Sequence, residues 1–156
     1  MLWESKKASR PFSATFILIQ GLRMKEKLIQ TITLENSLIL KIFDGSKKLA
    51  GDRWLVVLIS RIEIPVHRSL LSLDARANRD EIKNALGEKV VFEQKRVRNF
   101  VQAKEKDEIF KSLCDFFLAN LLPYLSHSTF PEKYVLKKYQ EHLRKKACFE
   151  NLDQGS

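Results

Sequence analysis

The chain has 156 residues, 44% of them hydrophobic and 30% charged, with a formal net charge of +9 and a pI near 9.6. That length and apolar content suit one domain able to bury a core without metal or disulfide staples. The two cysteines, Cys114 and Cys148, form no CxxC pair, which fits a reduced, cytoplasmic chain better than a secreted scaffold. No run of 18 apolar residues occurs, so no membrane-spanning helix is expected.

The excess of positive charge is compatible with an anionic partner, and nearly half of it lies in the first 27 residues, which carry six Lys/Arg against two acids. Residues 1–23 place lysines and Arg10 ahead of a modest apolar segment, Phe12 to Leu22, in the order a signal peptide would use. Glu4, Gln20 and Gly21 interrupt that pattern and no small-x-small cleavage site follows. The leading reading is an N-terminal extension, poorly ordered or upstream of a start at Met24. An added strand through Ser13–Ile19 and a targeting segment are the alternatives.

From Leu28 the pattern becomes regular. Leu28, Ile32, Leu34, Leu38, Leu40 and Ile42 share one parity, the mark of half-buried strand. Glu35-Asn36-Ser37 divides the run. A three-residue loop there pairs Leu34 with Leu38 and Ile32 with Leu40, keeping the apolar residues on one face, and an unbroken strand would preserve the same parity. A loop from Asp44 to Arg53 follows, and then the strongest strand of the chain, Trp54 to Val66. Its first half is apolar on both faces. Its second half alternates with Arg61 and Glu63 and ends near Pro65, so a central strand is expected to become an edge.

The signals between His67 and Ala77 are mixed. Asn78-Arg79-Asp80-Glu81 then opens a short helix with a capping-box arrangement, and Gly87 stops it. Residues 89–101 return to strand composition, with Val90 and Phe92 on one parity and Val97 and Val101 on the other, which a bulge near Gln94 to Arg96 would reconcile. Lys104 to Tyr124 is an amphipathic helix that Pro123 should end or bend. A last helix opens at Thr129-Phe130-Pro131-Glu132 with Thr129 at the cap, and residues 151–156 are expected to fray. The expected organisation is therefore an extension over 1–23, a single globular domain over 24–150 and a frayed tail.

Few constellations carry chemistry. The 44–53 loop could offer Lys47, Lys48, Arg53 and backbone amides to a phosphate, but it matches neither GxxxxGK[ST] nor GxGxxG, and a glycine-shaped strand connection explains it as well. Lys95, Arg96 and Arg98 between Phe92 and Phe100 invite a nucleic-acid reading, in which aromatics stack on bases and cations meet phosphates. The glycine-aromatic order of an RNA-recognition motif is missing, and a solvated strand face is the plainer account. His67, His127 and His142 show no metal-ligand spacing, so no metal and no cofactor is expected. Ser69 and Asp74 near His67 lack a nucleophile elbow. Cys114 reads as a small core residue, and the apolar face over 109–125 as sheet cover, with a dimer or protein-partner surface as its alternative.

The run L-E-N-S-L-x-L, I-F-D-x-S, A-G-D-R-W-L-V and I-x-I-P-V over Leu34 to Val66 resembles a family of small uncharacterised bacterial proteins. That resemblance implies no activity and no site residues. The expected architecture is α+β: a mainly antiparallel sheet of about four strands, a short helix before the last strand, and two C-terminal helices packed on one face. With no convergent acid, base, nucleophile or metal set, the expected function is a non-enzymatic binding or protein-interaction module. Nucleic-acid or other polyanion binding through Lys47, Lys48, Arg53, Lys95, Arg96 and Arg98 is the alternative.

Overall fold

The computed structural model describes residues 25–70 and 76–155. The expectations for residues 1–23 and for Asp74 fall outside them. The fold is α+β, an antiparallel sheet of five strands with helices on one face. In chain order the elements are β1 (Lys27–Thr33), β2 (Ile39–Asp44), β3 (Lys47–Lys48), β4 (Arg53–Pro65), α1 (Val66–Ser69), α2 (Arg76–Leu86), β5 (Lys89–Gln102), α3 (Lys106–Ser126) and α4 (Phe130–Gln154).

β4 is the axis of the sheet. β2 pairs with it from Leu40↔Ile62 to Asp44↔Leu58, β3 at Lys47↔Leu55 and Lys48↔Trp54, and β5 along its whole length to Pro65↔Lys89. Pairing on the β2 side stops at Ile62, so the end of β4 is held on one side only, as the Arg61/Glu63 alternation and Pro65 anticipate. Leu40, Ile42, Val56, Leu58, Ile62 and Ile64 point to the helical face and are buried there, together with Leu113, Phe117 and Leu125 from α3 and Phe130 and Val135 from α4. Each such side chain contributes about 1.5–3 kcal/mol by leaving water. An edge-to-face contact of Phe130 with Phe92 (5.8 Å) joins α4 to the sheet, and one with Tyr124 (5.2 Å) joins it to α3.

The β1–β2 connection is the three-residue loop. Ile32 pairs with Leu40, the Leu34 amide donates to the Leu38 oxygen (2.8 Å), and Ser37 adopts a left-handed conformation at φ 71°. β1 itself departs from the simple parity. A register shift between Leu28 and Gln30 breaks the phase, leaving Leu28 and Ile29 exposed and only Ile32 packed on the core.

Much of the expected 44–53 loop is paired backbone. Asp44 Oδ1 accepts from the Ser46 amide (2.8 Å), the Gly45 amide donates to Val57 O (2.9 Å), and the Val57 amide donates to Ser46 Oγ (3.0 Å). Two side chains thus stand in for ladder groups, and β2 passes into β3 against the same strand without a change of register. The true turn is Leu49 to Asp52, closed by Leu49 N–H to Arg53 O (2.9 Å), with Gly51 at φ 58° where a side chain would be strained.

Three further local expectations are corrected. The bulge in β5 lies between Arg98 and Val101, opposite Trp54 and Val56, with Phe100 at φ 56°. Val97 therefore stays on the outer face and only Val101 changes phase. α2 begins at Arg76, which puts Asn78 inside the helix and not at its cap, while Gly87 ends it at φ 86° with its amide on Lys83 O (2.7 Å). Pro123 does not end α3. It sits in the last turn, where a single ladder bond is forfeited, and the helix runs on to Ser126. α4 runs to Gln154, so the stretch expected to fray is mostly its last turn.

Candidate functional site

A groove of about 810 Å³ opens at one end of the sheet. Its floor is the outer face of two paired strands, Ile39, Lys41 and Phe43 from β2 and Arg61, Glu63 and Pro65 from β4. The 36–38 turn, Arg68 and Ser69 of α1, and Ser128 to Glu132 at the start of α4 form its walls. Asn36 holds these walls together, its Nδ2 donating to the main-chain oxygens of Leu125 (2.7 Å) and His127 (2.9 Å).

The charges on the floor are mostly compensated. Arg61 donates from Nη1 and Nη2 to the two oxygens of Glu26 (2.7 and 2.9 Å) and from Nε to Glu93, and its guanidinium lies 5.0 Å from the centre of the Phe43 ring. Hydrogen bonding to Glu26 pushes its already high pKa further up, so Arg61 is a permanent cation between two carboxylates. Glu63 accepts from Lys89 Nζ at 2.8 Å, which holds its carboxyl below the ordinary value, with Lys41 adding a weaker pull. Lys41 and Arg68 differ, since both are exposed and neither makes an ion pair among the described residues.

The hydroxyls of the groove are engaged locally. Ser69 Oγ donates to Pro65 O (2.6 Å), and Thr129 turns its hydroxyl to His127 Nδ1 (2.9 Å) instead of capping α4. No group of three or more His, Cys, Asp or Glu among the described residues could hold a metal ion. His67 and His142 are exposed and separate. Cys114 is half-buried beneath the sheet, where desolvation raises its thiol pKa and weakens it as a nucleophile. The groove combines apolar surface from Ile39, Phe43 and Pro65 with two cations, Lys41 and Arg68, that make no ion pair among the described residues.

None of the six basic residues singled out in the sequence lines this groove, and the sheet divides them between its faces. Lys47 and Lys95 stand on the outer face, paired with Leu55 and Ile59. Lys48, Arg96 and Arg98 share the helical side with Trp54, Leu58 and Val56. Arg53 lies at the start of β4 beside Asp52 (3.8 Å), and Arg98 overhangs a smaller crevice of about 240 Å³ between β5 and α3. The apolar face of 109–125 packs largely on β4 and β5, with Phe116 and Tyr124 left outside. Lys41 and Arg61 were legible as the outward parity of their strands, whereas Arg68 and Thr129 reach the groove only through tertiary packing.

No helix among the described residues is long and apolar enough to cross a membrane. Comparison with protein-family models, with curated proteins and with solved structures finds no match.

Proposed function

We propose that the protein is a non-enzymatic binding module that takes a small amphipathic anion in the groove at the sheet end. The observation that carries this reading is the pairing of three apolar floor residues, Ile39, Phe43 and Pro65, with two cations, Lys41 and Arg68, that have no ion-pair partner among the described residues. A volume near 810 Å³ is of the size that encloses a small molecule. The ligand's apolar body lies over Phe43 and Pro65, and its carboxylate, sulfonate or phosphate group meets Arg68, whose planar fork suits two oxygens.

Titration with anilinonaphthalene sulfonate, an anionic aromatic probe, tests the reading. Saturable binding of one equivalent is expected, weakened about tenfold or more by Arg68→Ala and by Lys41→Ala, since a charge-assisted hydrogen bond contributes about 1.5–3 kcal/mol. Lys47→Ala/Lys48→Ala should leave it unchanged. No saturable binding, or equal loss in the Lys47/Lys48 variant, would sink the assignment. So would turnover in a hydrolase or transferase screen that a single groove substitution abolishes.

A further inference from the structure

Among the described residues β5 has one free long edge. β4 pairs with it on one side, and no described strand pairs with the other. Its backbone phase follows from β4. The Val57 amide and carbonyl turn to Ser46 and Gly45, on the β2–β3 side, so Leu58 and Ser60 turn toward β5, and their partners Arg96 and Gln94 turn back toward β4. Glu93, Lys95 and Val97 therefore aim their N–H and C=O outward. Val91 does the same, and its oxygen already accepts from the Tyr134 hydroxyl at 3.3 Å.

The side chains of these four outward-aimed residues share the outer face of the sheet in the order Val91, Glu93, Lys95, Val97. Both valines are 43% exposed. Read from the opposite direction, the order complements itself. An antiparallel copy centred on Gln94 sets Val91 against Val97, Glu93 against Lys95, Lys95 against Glu93 and Val97 against Val91. The adjacent registers that keep the outward amides in phase are centred on Glu93 or on Lys95, and each places like charges face to face. On the helical side the same centre brings Gln94 against Gln94, a neutral pair that opposes no like charges.

We infer that the protein self-associates by adding β5 of a second copy to β5, antiparallel and centred on Gln94, to make one continuous sheet across the pair. Glu93 and Lys95 of each chain then form about four main-chain hydrogen bonds, and Val91 and Val97 add up to about four more where Tyr134 and Arg98, whose Nη1 donates to Val97 O at 3.2 Å, give up their carbonyls. The exposed valines become a covered stripe, and an edge that would otherwise invite uncontrolled pairing is closed.

Sedimentation velocity of the full chain tests this. Wild type is expected to dimerise. Lys95→Glu and Glu93→Lys alone should each raise the dimer dissociation constant about tenfold or more, because two attractive cross-strand pairs become repulsive. Mixed in equal amounts, the two variants should form heterodimers, since every opposed pair is again of opposite sign, and the doubly substituted chain should recover the wild-type constant. Glu93→Lys also removes a contact of Arg61, so Val97→Pro is the independent variant. It deletes an outward donor that β4 does not use, and should dissociate the dimer while the circular dichroism spectrum keeps its native form. A wild type that stays monomeric up to its solubility limit, or single charge reversals that dimerise as well as wild type, overturns the inference.

Discussion

Asn36, in the turn between the first two strands, donates its side-chain amide to the main-chain oxygens of both Leu125 and His127, 89 and 91 residues further along the chain. Leu125 is fully buried, so its carbonyl lies where water cannot easily replace a lost donor. Asn36→Ala is expected to cost about 1–3 kcal/mol. Asn36→Asp should cost at least as much, because a carboxylate cannot donate and repels both oxygens. Urea denaturation measures both. An aspartate variant as stable as wild type would refute the role given to this amide.

Gly45 shows a different coupling. A Cβ at this position would approach Ile59 Cδ1 to 2.9 Å, and Ile59 is 1% exposed, so it has little room to yield. Gly45→Ala should destabilise by about 1 kcal/mol through overpacking. Ile59→Val removes the clashing methyl. In the Gly45→Ala background it should therefore cost less than it does alone, a non-additivity of about 0.5 kcal/mol or more in a double-mutant cycle. Strict additivity would place the strain elsewhere.

Glu63 gives a pH signature. The Lys89 hydrogen bond lowers its folded pKa, so it contributes stability above the unfolded carboxyl value, and that contribution is lost as pH falls through the folded value. The pair is solvent-exposed, with both side chains at 55%, and screening keeps the effect below about 1 kcal/mol. Glu63→Gln should flatten the acid limb of the stability curve by that amount while leaving acid-denatured material unchanged. Added salt should mimic it in wild type.

The two thiols should separate kinetically. Cys148 is exposed, whereas Cys114 is packed against the core and its pKa is raised, first by burial and then by Asp115 and Asp44. A disulfide reagent at mildly alkaline pH should therefore modify one thiol quickly and the second slowly, and in denaturant both should react at one rate. Equal rates in the native protein would contradict the packing of α3.

How much of this was readable beforehand depended on whether a feature is periodic. β4 declared itself because Val56, Leu58, Ile62 and Ile64 keep one phase along the strand that β2, β3 and β5 all pair with. The 35–37 loop followed from the parity on its two sides. The bulge was misplaced because Val97 looks like a core residue. Its exposure on the outer face depends on what covers that face, which a local pattern does not contain. The pairing of Ser46 with Val57, and the arrival of Arg68 and Thr129 at one groove, join segments that nothing in the sequence links. Clustered positive charge makes Lys95 and Arg96 conspicuous in the sequence, while the groove's unpaired cations, Lys41 and Arg68, are single residues with no motif around them.

α4 changes character along its length. Val135 is buried, Tyr139 reaches Glu81 of α2 at 2.9 Å, and from His142 to Gln154 every residue is exposed. A free helix of that size would be marginal in water, because starting the first turn is the unfavourable step. Here the anchored first half supplies the nucleus, and a run rich in Leu, Arg, Lys, Ala and Glu extends it one hydrogen bond at a time. Amide exchange should therefore grade smoothly along a single helix, from near the global opening rate around Val135 to nearly free exchange by Asn151, with no break between two bodies.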